Sequence, residues 1–388
     1  MKKILPLLLY MTHISFAFAQ GDSDAFQGDA NVNKIISDFE KEINSKVARD
    51  TTGSFSATIF EGDRILWSRA FGKMNNQESR LADTGTVYRI GSISKTITAY
   101  LMLLLVQDGK LRLDEPVIKY LPELSKVNKD GKNEGDYITF RQLANHTSGL
   151  AREPEDLINN ATGSIEEWEN KVLSSIPVTK LRVPIGKSYE YSNIGYAILG
   201  LALSRVVQKP FIDLVEEMVF HPHGMFNSFY IVNPVNKNKI AAGYHWNQSS
   251  NVYGTAASTR ELAGRGYKVP NGGIFTTAND LARFAMALTA DTDILGKHYR
   301  DSMQTTQTFI SKKKDEGYGL GLFIRDDNTD NKKVMHDGTV AGYNSFMIFE
   351  PESRIGVIIL SNCDNTTPVL DREGNILLNK LVKSKKKS

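Results

Sequence analysis

The chain has 388 residues, 41% of them hydrophobic and 23% charged, an ordinary globular composition that excludes a disordered or fibrous protein. Its length allows one large domain or two interleaved ones with a substantial core. Lysine and arginine number 47 against 44 aspartates and glutamates, a formal net charge of +3; so small an excess gives no argument for nucleic acid as a partner.

Met1-Lys2-Lys3 is followed by an almost continuously apolar run, Ile4 to Phe18, with Ala17-Phe18-Ala19 ahead of Gln20. These are the three parts of a secretory signal peptide. Residues 1–19 are therefore expected to be removed and the product to be periplasmic or secreted. A membrane anchor is the alternative, but the run is short for a span of ~20 residues. No cysteine follows it, which argues against a lipoprotein, and no later stretch is apolar and long enough to span. Residues 20–32 are polar and read as a flexible leader.

Ile35, Ile36, Phe39, Ile43 and Val47 recur at helical spacing and predict a helix over 33–47. Ser54 to Phe60 and Arg64 to Phe71, alternating around Glu61-Gly62-Asp63, predict a β-hairpin. Ile97 to Val106 is apolar and closed by Gly109, the pattern of a buried helix. Further helices are predicted at 138–145, 165–174, 193–207, 211–219 and 278–289, and loops around 125–137, 150–165 and 235–268 are expected to shape a cleft. The tail returns to strands at Tyr318 to Arg325, Lys333 to His336, Asn344 to Phe349 and Ile355 to Ser361. A last helix over about 367–383 leads to a solvated basic end, residues 385–388. Leaving the hairpin edge unpaired is costly, so the terminal strands are expected to pair with it. The prediction is an α+β fold: an antiparallel sheet flanked by terminal helices, built from 33–90 and 305–384, with a mainly helical domain, 91–304, inserted. The cleft lies between the two parts.

The single cysteine, Cys363, follows a strand-like run with nothing basic beside it and reads as structural. One cysteine makes no internal disulfide. His221, His223, His245 and His298 are scattered without metal-ligand spacing; no cofactor and no metal are implied.

Three short motifs can carry chemistry. Ser-x-x-Lys occurs at Ser92/Lys95, Ser311/Lys314 and Ser384/Lys387. The last two sit in lysine runs, where a match is nearly automatic. Only Ser92 follows a glycine and opens a long apolar helix, which places Ser92 and Lys95 on one face. Unpaired N–H groups at a helix start suit an attacking oxygen and the oxyanion formed beside it. A desolvated lysine, or one near other cations, loses its charge readily and can take the serine proton. Tyr191-Ser192-Asn193 is the one Tyr-x-Asn of the chain. A phenol near a lysine ammonium favours its phenolate and can relay protons, and Asn193 can orient a lysine or donate to a substrate carbonyl. Taken alone, the motif reads more readily as aromatic packing with a helix cap. His336-Asp337-Gly338-Thr339 holds the one His-x-Gly. Gly338 would let a substrate backbone approach, and the Thr339 N–H with that of Ser92 could form an oxyanion hole. Taken alone, His336 is a half-buried strand histidine, and strand alternation turns Asp337 away from its side.

In this order, Ser92-Ile-Ser-Lys95, Tyr191-Ser-Asn193 and His336-Asp-Gly338 resemble the class C β-lactamase and penicillin-binding serine hydrolase superfamily. Gln142 to Leu150 with its His-Thr-Ser-Gly, Pro184 with Gly186, Gly272 to Leu281, and Tyr318-Gly-Leu-Gly321 fit the same resemblance, which covers about residues 33 to 383. It implies Ser92 as the acylated nucleophile, Lys95 and Tyr191 as a general-base pair assisted by Asn193, and backbone N–H groups of Ser92 and Thr339 as the oxyanion hole. His336 and Gly338 would line the substrate strand. His146 is expected to hold a loop by hydrogen bonds. The β-lactamases usually carry Lys-Thr-Gly where this chain has His-Asp-Gly. That difference lowers the expectation of efficient antibiotic hydrolysis and is similar to D-Ala-D-Ala carboxypeptidases, D-amino-acid peptidases and some esterases.

The expected partner is therefore a small-molecule or peptide substrate: a peptidoglycan-related peptide, an ester or a β-lactam. A D,D-carboxypeptidase-like or small D-amino-acid peptidase comes first. A carboxylesterase or β-lactamase using the same site, and a slowly turning-over penicillin-binding or sensing module, are the alternatives.

Overall fold

The computed structural model describes residues 30–49, 53–127, 134–247, 252–290, 294–325 and 332–386. The predicted signal peptide and most of the predicted leader lie outside them. Nine strands form one antiparallel sheet, in the spatial order Arg80–Leu81, Arg64–Asn75, Ser54–Glu61, Ile355–Ser361, Tyr343–Glu350, Lys333–Val340, Phe323–Arg325, Glu316–Tyr318, Thr308–Phe309. The join expected from the sequence is present: Ser54–Glu61 pairs with Ile355–Ser361, with Phe55 opposite Ser361 and Glu61 opposite Ile355. Early and late chain thus share one sheet, and the middle of the chain returns to it.

Both faces are covered, and the strand sequences say so. Tyr343–Glu350 and Ile355–Ser361 are buried at every position, as near-continuous apolar runs require. On the outer face Ile59, Phe346, Ile348, Val357 and Ile359 pack with Phe39 and Ile43 of the Ala30–Arg49 helix and with Leu370, Leu378 and Leu381 of the Thr367–Lys385 helix. On the inner face Phe60, Met347, Phe349, Ile358 and Leu360 join the larger core with the helices Ser94–Gln107, Asn193–Val207 and Ala278–Thr289. Placed in the insertion by its sequence position, Ala278–Thr289 packs directly on the Ser54–Glu61 and Ile355–Ser361 strands; the Thr58 hydroxyl donates to Asn279 Oδ1 at 2.8 Å.

Several elements differ from their sequence reading. The first helix begins at Ala30, inside the predicted leader. The Tyr318–Arg325 run is not one strand: Gly319 to Leu322 turn between two short ones, closed by the Gly319 N–H on the Leu322 carbonyl at 2.8 Å. Gly321 adopts φ +77° there, and a Cβ on it would lie 2.8 Å from Ala99 Cβ. The last helix runs to Lys385, whose ammonium pairs with Glu61 at 2.6 Å instead of being free in solvent. Cys363 is buried. No helix among the described residues is long and apolar enough to cross a membrane.

Candidate active site

Ser92 sits in a short 3-10 turn, Gly91–Ile93, that runs straight into the Ser94–Gln107 helix. Gly91 makes the turn possible: its φ is +49°, and a Cβ there would lie 3.0 Å from the Thr339 nitrogen. One turn on, Lys95 is 0% exposed. Its Nζ donates to Ser92 Oγ at 3.0 Å and to the Asn271 carbonyl at 3.1 Å. Asn271 is held over the helix because the Thr98 hydroxyl donates to the Pro270 carbonyl at 2.6 Å and the Ile274 N–H to Ser94 Oγ at 3.4 Å. Burial pushes the Lys95 ammonium well below its usual range; Arg152, Arg265 and Lys268 push the same way and Glu153 opposes them. The lysine that contacts the serine is therefore one that gives up its proton far more readily than a free lysine, as a general base must.

Tyr191 precedes the Asn193–Val207 helix, capped by Ser192, whose hydroxyl accepts from the Gly195 N–H at 2.9 Å. Lys95 Nζ lies 4.9 Å from the Tyr191 ring centre. Burial raises the phenol above its usual range, although the hydrogen-bonding Ser92 hydroxyl pulls it down. This corrects the phenolate expected from the sequence: burial outweighs the Ser92 hydrogen bond and the Arg152 charge, and Tyr191 is held toward its protonated form. Asn193 does not reach Lys95; its Nδ2 donates to Glu153 Oε1 at 2.6 Å, which also accepts from Lys268 Nζ at 3.2 Å. Lys95 is oriented by the Asn271 carbonyl instead.

The third motif lies on Lys333–Val340. Its neighbour Phe323–Arg325 pairs only with Lys333 to Met335, so among the described residues the edge beyond is open on that side. A Cβ on Gly338 would lie 2.0 Å from the Ile90 carbonyl oxygen, so only glycine brings this strand against the Ser92 turn. Thr339 is exposed at the edge. His336 is 1% exposed, and its side chain does not line the cleft. Nδ1 faces the Asp337 carbonyl at 2.6 Å and Nε2 the Tyr318 hydroxyl at 3.3 Å. A carbonyl only accepts, so Nδ1 carries the proton and Nε2 accepts from Tyr318. Burial drops the imidazole pKa to about 3, with Lys95 acting the same way. His336 contributes its main chain to the edge and a neutral prop beneath it. Asp337 is half-buried with its carboxyl pKa raised, chiefly by burial.

His146 holds its loop as expected. Its Nδ1 accepts the Ser192 N–H at 3.1 Å, its carbonyl accepts the Glu190 N–H at 2.8 Å, and its ring lies 4.3 Å from that of Tyr191. The sequence reading missed Asn271, Arg152, Glu153 and Lys268. Asn271 stands just before Gly272-Gly273, and Arg152-Glu153 just after the His-Thr-Ser-Gly loop; both motifs had been noted, but neither spacing reveals what folds onto it.

An antiparallel sheet covered by helices on both faces, with a serine–lysine pair at a helix start beside an open strand edge, defines a β-lactamase-type serine hydrolase scaffold. The chain belongs to the β-lactamase family, whose profile matches residues 39–379. It is 29% identical over 357 residues to beta-lactamase-like protein 4 of Dictyostelium discoideum, covering 86% of this chain and 61% of that one. It is 24% identical over 338 residues to protein flp of Staphylococcus aureus, strain MRSA252, covering 86% and 64%. The chain thus spans less than two thirds of the length of these relatives. Among solved structures it is similar to an octameric penicillin-binding protein homologue from Pyrococcus abyssi (TM-score 0.74, 23% identity, 90% of this chain and 77% of that one). A class C β-lactamase is similar at the same TM-score of 0.74, with 19% identity over 92% and 98%.

Proposed function

We propose that the chain is an exported acyl-transferring hydrolase of D,D-carboxypeptidase-like or small D-amino-acid peptidase type, working through an acyl-enzyme on Ser92. One observation carries this reading: a fully enclosed lysine, bonded among the described residues only to a carbonyl and to the hydroxyl of Ser92, beside an open strand edge. Ser92 Oγ attacks the substrate carbonyl as its proton passes to Lys95 Nζ. The oxyanion is held by the N–H groups of Ser92 and Thr339. Tyr191 gives its proton to the departing atom and recovers one from Lys95. Water then enters, loses a proton along the same path reversed, and releases the acid and Ser92. Export by residues 1–19 would place this chemistry where peptidoglycan lies.

The neutral His336 favours a second reading. It supplies no fixed positive charge for a substrate carboxylate, which suits a neutral acyl ester. Turnover of a peptide ending in D-Ala-D-Ala, measured beside that of a simple acyl ester, separates the two. Release of D-alanine at a higher kcat/KM than ester cleavage supports the peptidase; ester cleavage without D-alanine release supports the esterase.

A further inference from the structure

Substrates that end in a carboxylate need a cation at the cleft, and the position where the resemblance suggests one is filled by a neutral, buried imidazole. A different residue supplies the charge. Arg152 is exposed, with its guanidinium carbon 4.8 Å from the Tyr191 ring centre. Its main chain is pinned to the start of the next catalytic segment: the Arg152 carbonyl accepts the N–H groups of Asn193 at 2.8 Å and Ile194 at 3.4 Å. Among the described residues the guanidinium has no hydrogen-bond or ion-pair partner. The neighbouring cations are occupied. Lys268 is paired with Glu153 at 3.2 Å, Arg265 with Glu261 at 3.0 Å, and Lys95 is enclosed and bonded to Ser92 and the Asn271 carbonyl. Of the nearby acids, Glu153 is held by Asn193 and Lys268, and Asp337, half-buried on the strand with its carboxyl pushed up chiefly by burial, feels the Arg152 charge without a hydrogen bond or ion pair to it.

We propose that Arg152 is a specificity residue that binds a carboxylate on the leaving group of the substrate. This rests on the serine hydrolase reading above. Tyr191 is the group that hands a proton to the departing atom, so the leaving group must lie beside its ring. Arg152 flanks the same ring, on the solvent side, and can reach a carboxylate carried on the carbon next to the departing atom. A planar guanidinium meets a carboxylate with two parallel N–H donors, a geometry a lysine does not reproduce. The substrate class is an acyl-D-amino acid or acyl-D-hydroxy acid with a free carboxylate.

The test uses two esters with the same acyl group. One releases D-lactate with its free carboxylate, the other D-lactamide. The ratio of kcat/KM, acid over amide, is measured for the wild-type chain, Arg152→Gln and Arg152→Lys. The proposal expects the ratio to fall by about 10- to 100-fold in Arg152→Gln and by less in Arg152→Lys. A ratio within about twofold of wild type in Arg152→Gln, or an equal loss on both esters, overturns it, since an arginine that merely supports Tyr191 would slow both alike. No turnover of either ester, or turnover that survives Ser92→Ala, removes the proposed function and this proposal together. Ser92-dependent turnover with an unchanged ratio removes this proposal alone.

Discussion

A fully buried histidine resists protonation, and in this fold that resistance has a measurable sign. His336 has a pKa of about 3 in the folded chain against an ordinary 6.5. Between those values the unfolded chain takes a proton that the fold refuses. Stability is full above pH 6.5 and falls as the pH drops toward 3. From pH 6.5 to 5 the loss from this one group amounts to roughly 2 kcal/mol. His223, at about 4, and His146, well below its usual range, act with the same sign. His336→Gln should therefore lose about 2 kcal/mol less than wild type over that interval, read by urea unfolding at each pH. Parallel losses in the two proteins would show that His336 is not the buried neutral group described. At this scale the sequence was half legible. Ser92 and Lys95 could be paired because one helical turn joins them. Asn271, Arg152 and Glu153 could not, because loops far apart in the chain carry them to the serine. The charge state of Tyr191 was misjudged because burial outweighs the neighbours that spacing suggests, and the full burial of the His336 side chain could not be read from its place on a strand.

The elements meet at two glycines. Gly91 takes a left-handed conformation against Thr339, and Gly338 lies against Ile90 with no room for a Cβ. The Ser345 hydroxyl donates to the same Ile90 carbonyl at 2.8 Å, so the strand pair and the serine turn are fastened at one point. Gly338→Ala must push the strand edge from Ser92, and displacements of about 1 Å at a reacting centre cost on the order of 100-fold in rate. We expect kcat/KM to fall by about that factor in a chain that still folds, measured with any ester the wild type cleaves and checked by circular dichroism. Retention of more than about half the activity would mean that the Gly338 contact does not set the oxyanion site. Helices Asn193–Val207 and Ala278–Thr289 were readable to the residue, because Ser192 and Thr277 cap them and their apolar faces are continuous. Tyr318 to Arg325 was misread because alternation continues through Gly-Leu-Gly-Leu. Thr96, whose hydroxyl donates to the Gly321 carbonyl at 2.7 Å, fixes the turn from a distant helix.

At the scale of the molecule, the two ends of the chain build the platform and the middle supplies most of the site. The terminal helices lie together on the outer face, where Asn31 Nδ2 donates to Ser384 Oγ at 2.8 Å. They cover the outer face of the sheet, while its Lys333–Val340 strand meets the Ser92 turn through Gly338 and Gly91. That the sheet would close across the chain was legible from the cost of an unpaired hairpin. That Ala278–Thr289 would leave the inserted part to pack on the sheet was not, since its apolar face fits either neighbour. All of this positions one reactive hydroxyl, so the central claim is that Ser92 becomes acylated. The most direct measurement is a time course of intact mass, for protein and drug, after mixing the wild-type chain or Ser92→Ala with a penicillin. The account predicts an adduct on the wild-type chain, persistent if deacylation is slow or replaced by hydrolysed drug if it is fast, and neither with Ser92→Ala. The same adduct or the same hydrolysis with Ser92→Ala would contradict it; an unmodified wild-type chain beside intact drug would contradict the penicillin-binding reading and favour an esterase or another peptidase.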